Sequence, residues 1–162
     1  MRLSRSFLLL CAFGLTPGLA LASDYFVDST YLGTGTGTPG DPFPTIQEGI
    51  DAASNGDQVF CMPGTYVERI DFGGKLIIVS GIAGHETTII DADGGGVGVK
   101  FVSGETTAST LEGFTIRNGF GEGTGLTNLG GGGVQVIGSG ATLRDCLVEQ
   151  CQAVLGGGLY VE

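Results

Sequence analysis

The sequence lacks tryptophan, carries one histidine, and sets only seven Lys and Arg against seventeen Asp and Glu in 162 residues. Its formal net charge is −10. A chain this acidic repels nucleic acid and anionic lipid surfaces, so nucleic-acid binding leaves the set of functions to consider. It also repels acidic polysaccharide, unless a divalent cation bridges the two. Four cysteines are present, without a CxxC pair or a Cys/His cluster at metal-ligand spacing, which excludes a cysteine-based structural zinc site. After residue 22 no run is long and apolar enough to cross a bilayer as a helix.

Glycine is what the chain has in quantity, 32 residues of it. That abundance accompanies either disorder or many tight turns. The hydrophobic 41% falls in short alternating runs, which favours packed strands joined by turns.

The opening "MRLSRSFLLLCAFGLTPGLALAS" has a positive start at Arg2 and Arg5 and a short apolar core, Phe7 to Leu15. An Ala20-Leu21-Ala22 cleavage pattern follows. It predicts a secretory signal peptide over 1–22 and an export destination: secreted, cell-surface or periplasmic. The domain is then 23–162, and loss of Arg2 and Arg5 takes the charge from −10 to −12. Cys11 departs with the signal. Cys61 shares a strand face with Val59, and Cys146 with Val148, so both read as packed free thiols. A Cys146–Cys151 bridge would require the chain to reverse within five residues.

"FPTIQEGIDAAS" (43–54) holds a capping box at Thr45 and Glu48 and an apolar face at Ile46, Ile50 and Ala53. It predicts one short amphipathic helix, stopped by Asn55-Gly56. Around it every run is strand-like, from "DYFVDS" (24–29) to "TLEGFTIRNG" (110–119), "ATLRDCLVEQC" (141–151) and "GLYVE" (158–162).

A repeat joins them. "LEGFTIRNG" (111–119) lies over "LRDCLVEQC" (143–151), matching Leu111 to Leu143, Phe114 to Cys146, Ile116 to Val148 and Asn118 to Gln150. "VKFVSG" (99–104) lies over "VQVIGSG" (134–140), and triple glycines recur at 94–96, 131–133 and 156–158. The stretch 120–128 reads as a loop insertion. One such coil cannot bury its apolar face, so the repeat predicts about four stacked β-coils. Glycines take the corners, Asn118 and Gln150 form a polar ladder at a bend, and the helix covers the exposed end. The N-terminal cap is 24–56 and the coils are 57–162, with the pattern still running at Glu162, which predicts further coils in a longer chain.

"PFPTIQEGIDAASNGDQVFCMPGTYVERI" resembles the N-terminal module of the pectin-lyase-like, right-handed parallel β-helix proteins. The residues that carry the resemblance are Pro42 to Gln47, Gly56-Asp57, Pro63 to Tyr66, and Glu68. "TIIDADGGG", "LEGFTIRNG" and the Gly-Gly-Gly figure are similar to bacterial β-helix repeats, those of polymorphic outer-membrane proteins among them. The resemblance implies an all-β, right-handed parallel β-helix with an N-terminal capping helix. It implies either a non-enzymatic surface scaffold, binding polysaccharide or cell-surface partners, or the N-terminal part of a polysaccharide lyase or glycosidase. The carboxylate, Gln-Asp and Trp-containing catalytic signatures of those enzymes do not occur in this sequence.

Few residues suggest chemistry of their own. Asp91 and Asp93 in "DADGGG" offer paired carboxylates for Ca²⁺, or an Asx turn between coils. His85 has only Glu86 nearby in sequence and reads as a solvated loop histidine rather than a general base. The triple glycines precede no Gly-Lys-Ser/Thr and open no helix, so they do not cradle a nucleotide. Arg69, Arg117 and Arg144 point outward; Arg117 matches Glu149, which predicts a cross-strand pair, and a polysaccharide groove is the other use for such arginines.

Overall fold

A computed structural model describes residues 21–121 and 130–162. Residues 1–20, where nearly all of the expected signal peptide falls, lie outside it, as does the expected insertion beyond Gly121. The chain opens with β1 (Asp24–Val27) and the single described helix, α1 (Ile46–Ala52). Then come β2 (Gln58–Cys61), β3 (Gly64–Tyr66), β4 (Ile70–Asp71), β5 (Ile78–Gly81), β6 (Thr88–Asp91) and β7 (Val99–Phe101). The last six are β8 (Thr110–Glu112), β9 (Thr115–Arg117), β10 (Val134–Val136), β11 (Thr142–Arg144), β12 (Leu147–Glu149) and β13 (Leu159–Val161).

These strands form three parallel sheets, ordered β1-β2-β5-β8-β11, β3-β6-β9-β12 and β4-β7-β10-β13. Every third strand from β2 onward returns to the same sheet, so four successive turns stack on one another. The arrangement is strand-dominated, parallel and nearly free of helix, consistent with an all-β parallel solenoid. The expected register holds: Leu111 pairs Leu143, Ile116 pairs Val148, and Val99 pairs Val134.

Two expectations about the coils change. The runs at 110–119 and 141–151 each read as one strand, yet each divides between two sheets. Gly113 (φ 74°) and Asp145 (φ 48°) turn the chain into the left-handed region at equivalent positions, and the inward-facing residues step by three there, from Leu111 to Phe114, before the step of two to Ile116. The glycine runs at 131–133 and 156–158 stand in register, since Val134 pairs Leu159. The run at 94–96 does not, because Val99 rather than Val97 pairs Val134, leaving that run two residues early. Leu159–Val161 is the third strand of the fourth turn.

The core is a set of vertical columns. Val59, Val79 and Leu111 stack in the first sheet, with the partly buried Leu143 above them. Tyr66, Ile90 and Ile116 stack in the second, and Ile70, Val99 and Val134 in the third. All nine of these fully buried residues belong to one cluster. Phe72 and Phe101 add a tilted aromatic pair with centroids 4.3 Å apart, a contact of about 1 kcal/mol beyond its burial.

Helix α1 closes one end as expected, burying Ile46, Gly49 and Ile50 and packing against β1, β2 and β4. Thr45 makes its half of the capping box by accepting from Glu48 N at 3.3 Å. The other free donors go to Glu68, whose carboxylate oxygens accept from Ile46 N at 2.8 Å and Gln47 N at 3.0 Å. Lys75 Nζ donates to the carbonyls of Ile50, Asp51 and Ala53 at 2.7–2.8 Å. A negative charge thus sits at the helix start and a positive one at its end, both matched to the helix dipole. Gln47 also extends the sheet edge: its Oε1 accepts from Asp71 N and its Nε2 donates to Asp71 O. At the opposite end no such cover occurs among the described residues, and the inward-facing Leu159 and Val161 are 47% and 64% exposed.

Glu105 ties three turns together. Its carboxylate accepts from Gly74 N, Ser103 N and Ser139 Oγ at 2.8–2.9 Å. Burial pushes this carboxyl up, but the backbone and hydroxyl donors outweigh burial and hold it below its ordinary value. A lowered carboxyl stabilises the fold above its unfolded value and loses that contribution as pH falls through the folded one. Glu105→Gln is therefore expected to cost about 2 kcal/mol in urea unfolding at neutral pH. The difference from wild type should shrink once the pH drops well below about 4, as the wild-type carboxylate takes up its proton. The second prediction concerns Thr88, whose buried Oγ has no hydrogen-bond partner. Thr88→Val keeps the shape and removes the orphan hydroxyl, so it should raise stability by about 1 kcal/mol in the same unfolding experiment.

Candidate functional site

The third sheet builds a polar outer face, because its alternate residues point away from the columns. Asp71, Lys100, Gln135 and Tyr160 stand in register along it, one from each turn. Beside this row lies a cleft of about 340 Å³, lined by Arg69, Asp71, Lys100, Gln135 and the Gly95-Gly96 backbone. The Arg69 side chain lies so close to Gly95 that a β-carbon there would strike its guanidinium. Gln135 Nε2 donates to Gly130 O at 3.1 Å, which orients the amide, and Asp71 Oδ1 accepts from Gly73 N at 2.8 Å.

The disposition of positive charge singles out this cleft. Arg2 and Arg5 lie outside the described residues. Lys75 holds the helix C-terminus. Arg117 Nε lies 2.8 Å from Asp91 Oδ2, and Arg144 Nη1 lies 2.9 Å from Glu112 Oε2. Arg69 and Lys100 remain, neither in a salt bridge among the described residues, and both line the same cleft. The one polar bond recorded for Arg69 is a long 3.4 Å donation to Ala92 O.

The residues singled out from sequence are placed as follows. Asp91 is largely buried, and both of its oxygens are occupied: Oδ2 by Arg117, and Oδ1 by Asn118 Nδ2 at 2.9 Å and Asp93 N at 3.1 Å. Burial pushes the Asp91 carboxyl up, but these donors outweigh it and hold the carboxyl below its usual value. The Asp93 N–H to Asp91 bond is an Asx turn, one of the two sequence readings, and Asp93 itself is exposed at φ 49°. No group of three or more His, Cys, Asp and Glu side chains able to hold a metal occurs among the described residues. Arg117 does stand beside Glu149 in register, but its ion pair goes to the turn below, to Asp91. Asn118 and Gln150 share a corner in the left-handed region, at φ 56° and 54°. They do not bond to each other; Asn118 donates to Asp91 instead.

His85 finds a carboxylate that its neighbours in sequence did not reveal. Its Nδ1 is 3.3 Å from Asp145 Oδ1. Asp145 occupies the left-handed corner that Gly113 takes one turn below, and that conformation swings its carboxylate toward the 82–87 loop. The repeat alignment of Asp145 with Gly113 was the available signal. The adjacent Cys146 thiol donates to the carbonyls of Leu111 and Arg144. Cys61, Cys146 and Cys151 are all free thiols, as expected, and burial pushes each one up, so they stay protonated at neutral pH.

Two cations, an oriented amide, a carboxylate and a tyrosine along one sheet are groups whose chemistry suits a polar, partly anionic ligand. No protein-family model matches the chain, and a search of curated proteins finds no match.

The Asp91 geometry yields a third prediction. Asp91→Asn should cost about 1–2 kcal/mol, because it strips a partly buried ion pair. Arg144→Ala, at an exposed pair, should cost less than about 0.5 kcal/mol. Millimolar CaCl₂ should leave the melting temperature of the wild type unchanged, since both Asp91 oxygens already have donors. A calcium-dependent rise that Asp91→Asn abolishes would show a metal site there.

Proposed function

We propose that this protein is an exported right-handed parallel β-helix that serves as a binding scaffold, holding polysaccharide segments with acidic groups along its third sheet. The right hand follows from the crossover rule, which parallel strands joined within one sheet obey in about 98% of cases. Export rests on the signal-like N-terminus. The observation that carries the binding reading is the convergence on one cleft of Arg69 and Lys100, the two cations among the described residues that neither pair with a carboxylate nor hold the helix end. The net negative charge opposes an anionic ligand at long range. Screening limits that opposition to about 10 Å at 0.1 M salt, so the local pair governs the bound state.

The alternative, the N-terminal part of a polysaccharide-degrading enzyme, has no acid-base pair behind it at the cleft among the described residues. The His85–Asp145 pair lies away from the cleft's lining residues.

Calorimetric titration with oligogalacturonate and with a sulfated oligosaccharide tests the reading. Binding should weaken as salt rises, and Arg69→Ala and Lys100→Ala should each lower affinity about tenfold. Affinity that is insensitive to both substitutions would overturn it. Release of unsaturated or reducing products in the same mixtures would replace it with the enzymatic alternative.

A further inference from the structure

We infer that the corner between the second and third sheets is a separate subsite for an uncharged sugar ring. A cavity of about 320 Å³ opens there, lined by Asp93, Gly94, Asn118, Phe120, Gln150 and Gln152 among others. Phe120 is a large aromatic left 48% exposed at its edge. Its backbone forms a parallel bridge with Gln152, backed by Gly121 N to Gln152 O at 2.7 Å and Gln152 N to Gly119 O at 2.8 Å. The two residues are therefore held in register, one turn apart, by the sheet ladder itself.

The polar groups around the ring are unengaged. The side chains of Gln150, Gln152 and Asp93 make no hydrogen bonds among the described residues, whereas Asn118 is anchored by its bond to Asp91. Planar amides and a carboxylate match the paired hydroxyls of a pyranose, and an exposed aromatic face matches its C–H face. No cation among the described residues lines the cavity, which distinguishes its ligand from that of the Arg69–Lys100 cleft. Gln150 also occupies φ 54°, a conformation in which Gly or Asn is the ordinary choice, so its presence there is unexplained by backbone preference. The two cavities share one loop, since Asp93-Gly94 lines this corner and Gly95 to Val97 line the cleft. A single glycan reaching from one to the other is a consequence that rests on the function proposed above; the sugar site itself does not.

The test uses amide spectra of the ¹⁵N-labelled protein with millimolar cellobiose, xylobiose or galactobiose, and separately with oligogalacturonate and with CaCl₂. At least one neutral disaccharide should shift the amides of Asp93, Gly94, Asn118 to Phe120, Gln150 and Gln152, and Phe120→Ala and Gln152→Ala should abolish those shifts. Gln150→Gly should keep or raise the melting temperature while weakening the sugar about tenfold. That combination separates a binding role from a structural one. The inference is overturned if none of the three disaccharides moves these amides, if the shifts persist in Phe120→Ala, or if CaCl₂ alone moves them. Oligogalacturonate reports on the other cavity: shifts at Lys100 and Gln135 that Arg69→Ala removes would support the cleft whether or not the corner binds sugar.

Discussion

Everything in this protein depends on parallel, in-register pairing between one turn and the next. Strands about 4.8 Å apart place each side chain directly on its equivalent in the neighbouring turn. An interior position must then be apolar in every turn, as Val59, Val79 and Leu111 are in the first sheet. An outward position becomes a row, as Asp71, Lys100, Gln135 and Tyr160 do in the third. The corners inherit the same constraint. Where the chain leaves one sheet for the next, successive turns repeat the left-handed residue: Gly113 then Asp145, and Asn118 then Gln150. A polar residue at such a corner projects from a predetermined place, and for that reason Asp145 meets His85.

A stack of this kind has ends, and its ends carry unpaired strands and uncovered core. At the first turn, seven residues of helix could not hold themselves in water. They persist because Ile46 and Ile50 are buried, because Glu68 and Lys75 satisfy the two termini, and because Gln47 imitates a strand against Asp71. Polar stitching continues along the stack at Glu105, which joins three turns through donors on Gly74, Ser103 and Ser139. At the fourth turn the third-sheet columns end on Leu159 and Val161, which are exposed among the described residues.

The allocation of charge leaves this acidic chain with two cations lining one cleft. Three of its cations answer structural needs: Lys75 at the helix end, Arg117 over Asp91 and Arg144 over Glu112. Each sits where a carbonyl cluster or carboxylate from another turn requires it. Arg69 and Lys100 answer no such need, and the register brings them to one cleft although they are 31 positions apart in the chain. The adjoining corner, with Phe120 and its amides, differs in chemistry because Asp91 already neutralises Arg117, the nearest cation along the strand.

The sequence by itself determined the repeat, and with it the strand-rich parallel stack, the register of Leu111 on Leu143 and Ile116 on Val148, and the capping helix over Ile46 to Ala53. Those features follow from local periodicity, from Thr45 and from Asn55-Gly56, all readable within a short window. Only the tertiary structure decided which partner each charged group meets. The Glu68 and Lys75 clamp, the Arg117–Asp91 pair, the His85–Asp145 contact and the shared cleft of Arg69 and Lys100 all join residues more than 20 positions apart. The corner that divides 110–119 between two sheets shifts the apolar phase by one residue, from Leu111 to Phe114, but only the left-handed turn at Gly113 sends the chain into another sheet. Periodicity records which side of a strand faces the core; it does not record which turn lies above, and the chemistry of this surface is made between turns.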